Sequence, residues 1–163
     1  MRAVIAYESW FGNTGALAEA VADELRAEHD VTLVSVDDPP PSLEGVDLVV
    51  VGAPTHVHGL SSKFSRRAAL EQKGEEREPG RGARGWLAEL PLGEGRRAAA
   101  FDTRIDKPVV LVGSAGRTLA RRLSRKGFAL VAPAESFFVC DSEGPLEDGE
   151  LERARAWARR VAA

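Results

Sequence analysis

The residues that most clearly suggest a binding function lie near the start of the chain, where a glycine-containing turn joins an apolar run to a helical pattern. These residues, called here the 9–14 loop, are Ser9, Trp10, Phe11, Gly12, Asn13 and Thr14. Backbone N–H groups at the start of a helix lack intrahelical partners and carry the positive end of the helix dipole, so they bind phosphate without lysine or arginine. Ser9, Asn13 and Thr14 add polar side chains, and Gly12 lets the backbone close around an anion. The alternative is an ordinary turn capped by Asn13 or Thr14.

The 9–14 loop does not match the commonest phosphate-binding motifs. It has no Gly-Lys-Ser/Thr ending, which excludes the P-loop of nucleoside triphosphatases, and it lacks the three-glycine fingerprint of dinucleotide-binding domains. A second glycine-serine helix start at residues 113–118 could bind the phosphate of a nicotinamide nucleotide. We interpret it as a plain helix cap formed by Ser114.

A second polar segment, from Pro54 to His58, follows another apolar run. His56 and His58 are two residues apart, so an extended backbone would place both imidazoles on one side, where they could bind a metal ion. The sequence offers no third or fourth ligand at a convincing spacing, and we therefore expect no metal site. The single cysteine, Cys140, cannot form an internal disulfide, and we interpret it as a small buried apolar residue.

Strand and helix patterns alternate between these segments. Short apolar runs predict strands at residues 2–7, 31–36, 46–51, 98–101 and 128–139, with the last broken near Pro133. Helical spacing and capping residues predict helices at residues 14–28, 61–72, 85–90, 114–126 and from 148 onward. We expect at most one helical turn at residues 37–45, a mobile loop at 73–85 and a packed loop at 107–112. This alternation indicates a doubly wound parallel sheet with helices on both faces.

Composition narrows the class of protein. The chain has 163 residues, 44% of them hydrophobic and 29% charged, which predicts one globular domain over residues 1–163. A net charge of −3 provides no basic field for nucleic acid. The longest apolar run, residues 48–54, is far shorter than the ~20 residues that cross a bilayer. The first residues do not form a signal peptide, so we expect a cytoplasmic protein with no membrane partner.

The 9–14 loop resembles the phosphate-binding loop of the flavodoxin family, whose pattern is Ser/Thr-x-Thr-Gly-Asn-Thr. Ser9, Gly12, Asn13 and Thr14 match it, whereas Phe11 replaces a threonine and removes a phosphate donor that contributes about 1 kcal/mol. The resemblance continues through the later strands and the closing helix. It implies a flavodoxin-like three-layer sandwich, with a five-stranded parallel sheet in the order 2-1-3-4-5 and helices on both faces. The implied cofactor is one non-covalently bound flavin mononucleotide (FMN).

The resemblance also assigns further cofactor-binding residues. The 9–14 loop, including Trp10, would hold the phosphate, and the loop formed by Pro54, Thr55, His56 and Val57 would contact the flavin ring. His56 occupies the position at which family members often place a stacking aromatic residue.

The loop after the fourth strand would contact the pyrimidine edge of the flavin. Asp102 could accept from the ring N3–H, Thr103 could contact the ring edge, and Arg104 could approach N1 and O2. A solvated ion pair between Asp102 and Arg104 fits the sequence equally well. The tyrosine that family members commonly stack on the second ring face is missing, since the single tyrosine is Tyr7.

The function implied by the resemblance is electron transfer between redox partner proteins or to a small electron acceptor. The flavin would carry the redox chemistry, and no protein residue would need to act as an acid or base. One alternative is an FMN-dependent NAD(P)H quinone or nitro reductase. Another is a flavin-free flavodoxin-like interaction domain, which would be consistent with Phe11 and the missing tyrosine.

Overall fold

The computed structural model describes residues 1–56 and 58–163, and it confirms the predicted alternation of strands and helices. The strands are β1 (Arg2–Tyr7), β2 (Asp30–Ser35), β3 (Leu48–Pro54), β4 (Arg97–Ile105), β5 (Ala129–Leu130) and β6 (Glu135–Val139). The helices are α1 (Asn13–Arg26), α2 (Lys63–Gln72), α3 (Gly82–Glu89), α4 (Val109–Val112), α5 (Ala115–Arg125) and α6 (Glu150–Ala162).

All strand pairs of the sheet are parallel, and the strand order is β2-β1-β3-β4-β5, as predicted. β6 also pairs with β4, so β5 and β6 together form the fifth position of the sheet. They are separated near Pro133, where a missing backbone N–H interrupts strand pairing. The fold is therefore the flavodoxin-like sandwich expected from the sequence.

Two apolar layers cover the sheet because successive side chains of a strand point to opposite faces. On one face, Val49 and Val51 pack with residues of α3 and α5, including Trp86. On the other, Val50 packs with residues of α1 and α6, including Trp157. Continuous apolar strands thus fit a sheet that is buried on both sides. Within the described ranges, every helix is too short or too polar to span a bilayer.

The helix starts confirm the predicted Ser114 cap and include a second serine cap, at Ser62. Ser62 accepts a hydrogen bond from a backbone N–H in the first turn of α2, and Ser114 does the same for α5. The N-cap of α1, in contrast, is Gly12, with a φ of 89°. The prediction that Asn13 or Thr14 caps α1 is therefore wrong, because this left-handed conformation favours glycine.

Two elements extend beyond their predicted bounds. β4 continues to Ile105 instead of ending at Phe101, because it pairs with β3 as far as Thr103 and with β6 as far as Ile105. α3 begins at Gly82, so the end of the segment predicted as a mobile loop forms a helical turn, with Gly82 and Ala83 buried. The connection at residues 37–45 contains no helix, within the expectation of at most one turn.

Two surface features differ from prediction. Residues 107–112 were expected to form a packed loop, but they contain the single helical turn α4, where Val110 and Leu111 are 86% and 60% exposed. Cys140 was expected to be buried, but it is exposed because it lies where the chain turns after β6. Both interpretations relied on apolar character, which does not by itself determine burial.

Candidate functional site

A cavity of about 400 Å³ opens at the carboxyl ends of β1, β3 and β4. In an open α/β sheet, this edge is where ligands bind. The cavity brings together ten of the predicted site residues, which are Ser9, Trp10, Phe11, Asn13, Thr14, Pro54, Thr55, His56, Thr103 and Arg104. Gly12 and Asp102 are not among the lining residues, and Val57 lies outside the described residues.

The backbone of the 9–14 loop has N–H groups at the start of α1 that are unpaired within the described part of the chain. Ser9 Oγ accepts a hydrogen bond from the Gly15 backbone N–H at 3.1 Å, which satisfies one donor in the first turn of α1. Among the described residues, no acceptor is found for the backbone N–H groups from Trp10 to Thr14. No atom lies within 4 Å of an ideal Cβ position at Gly12. The loop therefore combines free donors with open space, the arrangement that an anion at a helix start requires.

The polar side chains of the loop already have protein partners. Thr14 Oγ1 lies 2.9 Å from Thr103 Oγ1, and both side chains are buried. Asn13 Nδ2 donates to the Glu143 carbonyl at 3.0 Å. These contacts join the loop to β4 and to the turn after β6, so the two side chains help to fix the loop in addition to lining the cavity.

His56 and His58 face different cavities. His56 is half-buried and lines the large cavity, whereas His58 is exposed and lines a smaller cavity beside α4. Burial lowers the pKa of His56 below its usual value, and the Arg66 charge adds to this lowering while Glu8 opposes it. The described residues contain no cluster of three His, Cys, Asp or Glu side chains that could hold a metal ion.

The guanidinium of Arg104 is fixed along the side of the cavity. Its Nε donates to Ser136 Oγ at 3.0 Å, and Nη1 donates to the Lys107 carbonyl at 2.7 Å. The guanidinium also lies 5.1 Å from the centre of the Phe138 ring. These contacts replace the ion pair with Asp102 that was considered from the sequence.

Asp102 has a structural role at the start of α5. Its side chain is fully buried, and Oδ2 accepts hydrogen bonds from Ser114 Oγ at 2.6 Å and the Gly116 backbone N–H at 2.8 Å. Thr55 Oγ1 donates to the same oxygen at 3.2 Å and accepts from the Ala115 backbone N–H at 3.0 Å. The expectation of a surface ion pair is wrong, because Asp102 is fully buried and its Oδ2 is bound at the start of α5.

Several cavity residues were missed from the sequence. Phe64 is 83% exposed in the first turn of α2 and lines the cavity together with Ala68 and Gln72. An aromatic residue in an otherwise polar helix turn was a signal that could have identified Phe64. Glu8, a buried residue outside the cavity lining, was also missed, although a charged residue at the end of an apolar strand is unusual and could have drawn attention to it.

Comparisons with known proteins agree with this architecture. The family model of the flavodoxin domain matches residues 4–74, which include the 9–14 loop. No curated protein matches the chain. Oxidised flavodoxin 1 from Bacillus cereus superposes with a TM-score of 0.71 at 21% identity, covering 99% of this chain and 97% of that one.

Two further solved structures have similar folds. A flavodoxin from the domain Archaea has a TM-score of 0.68 at 20% identity, with coverage of 99% of this chain and 96% of that chain. A WrbA-like flavodoxin from Agrobacterium tumefaciens has a TM-score of 0.60 at 22% identity, with coverage of 99% and 94%. The chain is thus a doubly wound α/β protein of the flavodoxin fold. The family match over residues 4–74 confirms the resemblance to the flavodoxin family.

Proposed function

We propose that this flavodoxin-like protein binds FMN and transfers electrons. The observation that carries the proposal is the set of backbone N–H groups from Trp10 to Thr14, for which the described residues provide no acceptor. They lie at the start of α1, where the helix dipole favours a phosphate, and they adjoin a cavity of about 400 Å³. Both parts of FMN, the charged phosphate and the flat ring, therefore have a suitable environment.

The phosphate would be held by the backbone of the 9–14 loop, with Ser9 as an additional hydroxyl donor. The ring would lie in the apolar part of the cavity, near Pro54, His56 and Phe64. Phe64 is an exposed aromatic side chain at the rim, so it offers the stacking surface that the missing tyrosine would have supplied. Phe11 also lines the cavity and adds apolar surface in place of the absent hydroxyl.

Bound FMN supplies the electron-accepting and electron-donating chemistry, and the protein positions it and sets its electrostatic environment. Among the described residues that line the cavity, the titratable side chains are His56 and Arg104. The protein would then act as a carrier that orients its cofactor for redox partner proteins or a small acceptor. The single cysteine supports a reducing compartment, and we place the protein in the cytoplasm.

The decisive experiment is a titration of the apo-protein with FMN and with riboflavin, which lacks the phosphate. We expect FMN to bind about a hundredfold more tightly, since a phosphate at this helix start makes several charge-assisted hydrogen bonds. Equal affinity for the two flavins, or a protein that takes up neither, would contradict the proposal. The second result would favour a flavin-free interaction domain.

Gly12 provides a matched pair of variants for the same titration. Gly12→Ala introduces the strain of a Cβ at positive φ, whereas Gly12→Asp adds the same strain and a carboxylate. We expect Gly12→Asp to abolish FMN binding and Gly12→Ala to retain measurable binding.

Turnover of a quinone by NAD(P)H without an added reductase would identify the protein as an enzyme instead of a carrier.

A further inference from the structure

Glu8 is a buried acidic residue immediately before the 9–14 loop. It is only 4% exposed, and its carboxylate accepts hydrogen bonds from three parts of the chain. Oε1 accepts from Trp10 Nε1 at 2.9 Å and from Ser61 Oγ, while Oε2 accepts from the Ala83 backbone N–H at 2.8 Å. A buried carboxylate is costly unless it is hydrogen-bonded, so these three donors explain how Glu8 is accommodated here.

A buried arginine completes the network around Glu8. Arg66 Nη1 donates to both the carbonyl and the hydroxyl of Ser61 at 3.2 Å, and Nε donates to the Gly80 carbonyl at 2.9 Å. Arg66 also packs closely against Gly82, where a Cβ would lie 2.7 Å from Nη1. The network therefore links the end of β1 to the starts of α2 and α3.

The Glu8 network acts on the 9–14 loop through Trp10. The indole N–H is bound by Glu8, and the ring packs against Ala69 and Leu70 of α2. The guanidinium of Arg77 lies 5.7 Å from the centre of the same ring. Because Trp10 is fixed at both its polar and apolar parts, the direction of the neighbouring backbone N–H groups is also restricted.

We propose that Glu8 is a positioning residue that holds the 9–14 loop in the conformation that binds a phosphate. This inference rests on the proposed FMN function. Fixing donors before the ligand arrives lowers the entropic cost of binding, so a rigid loop should bind phosphate more tightly than a mobile one. The gain in affinity should be confined to FMN, since riboflavin has no phosphate for these donors to bind.

Electrostatics alone gives the opposite expectation. A carboxylate beside a phosphate site repels the ligand, so neutralising Glu8 would strengthen FMN binding if charge dominated. Positioning predicts weaker binding, because glutamine retains an acceptor for only part of the network and places an NH₂ group opposite another donor. Glu8→Gln therefore separates the two effects by the sign of the change.

The experiment compares FMN and riboflavin affinities of wild-type protein and Glu8→Gln by titration of the apo-proteins. We expect FMN affinity to fall by about tenfold or more and riboflavin affinity to change by less than about threefold, since the lost hydrogen bonds involve a charged group. An FMN affinity that is unchanged or increased overturns the inference. An equal fall for both flavins also overturns it, because it would indicate a general loss of folding.

Trp10→Phe tests the same network without removing the buried charge. It deletes the indole N–H that donates to Glu8 and keeps an aromatic ring on α2, so FMN preference over riboflavin should fall, by less than in Glu8→Gln. Trp86→Phe is the matched control, since its indole N–H is buried with no acceptor among the described residues and should leave the preference unchanged.

The wild-type titration distinguishes a failure of FMN binding from a failure of the positioning role of Glu8. A wild-type protein without preference for FMN refutes the proposed function and this inference with it. A wild-type preference that persists unchanged in a folded Glu8→Gln variant refutes the inference alone. If Glu8→Gln does not fold, Trp10→Phe and its control still decide the question.

Discussion

Replacing Asp102 should destabilise the protein far more than replacing an exposed carboxylate would. In Asp102→Ala, the Ser114 hydroxyl and the Gly116 N–H lose a fully buried acceptor. Each buried donor left without a partner costs about 1–3 kcal/mol, so we expect the unfolding free energy to fall by about 3 kcal/mol. Asp102→Asn retains one acceptor oxygen and should cost about half as much.

Urea unfolding of the apo-protein, followed by circular dichroism, measures this loss. Asp106→Ala is a suitable control, because Asp106 is an exposed carboxylate in the same segment and should change the unfolding free energy by less than about 0.5 kcal/mol. If Asp102→Ala were no more destabilising than Asp106→Ala, the carboxylate would be solvated and its hydrogen bonds to α5 would be refuted. A loss of FMN affinity without a loss of stability would instead restore the direct contact with the flavin that was predicted from the sequence.

Three further predictions concern the cavity. Because burial lowers the pKa of His56 from its usual value of about 6.5, the unfolded chain binds a proton at this residue more readily than the folded protein does. The unfolding free energy should therefore fall as the pH drops below about 6.5. The fall should be smaller in His56→Gln, which has no titratable side chain at this position. An identical pH profile in His56→Gln would contradict this. Phe64→Ala should weaken FMN binding about three- to tenfold in the apo-protein titration while leaving the melting temperature unchanged, because the side chain is 83% exposed. Arg104→Gln should lower the midpoint potential of the bound flavin by tens of millivolts in a redox titration, because it removes a cation from the cavity wall; an unchanged potential would show that the guanidinium does not act on the flavin.

The arrangement of strands could be predicted from the sequence because buried parallel strands have a simple signature. Residues 46–51 and 98–101 are apolar without alternation, as expected for strands covered on both faces. The break near Pro133 was also predictable from the proline's missing donor. The buried strands and this break depend on local composition, so they can be predicted directly from the sequence.

The roles of Asp102 and Thr103 could not be predicted because they depend on where β4 ends. A strand that ended at Phe101 would leave the following residues in a loop that faces the ligand. β4 instead continues to Ile105, so successive side chains alternate between faces. Asp102 consequently shares a face with α5, and Thr103 shares the opposite face with α1, where it meets Thr14.

Several helices start at the carboxyl edge of the sheet, and among the described residues the start of α1 is the one that remains available for a ligand. Asp102 accepts from the first turn of α5, Glu8 accepts from the first turn of α3, and Ser62 caps α2. At α1, Ser9 satisfies the Gly15 N–H, and the preceding N–H groups have no acceptor among the described residues. The protein thus places its own carboxylates at the N-termini of α3 and α5 and leaves the N-terminus of α1 for an external anion. The sequence shows similar glycine and serine residues at α1 and α5, so the difference between the two sites comes from the β4 carboxylate of Asp102, which reaches α5.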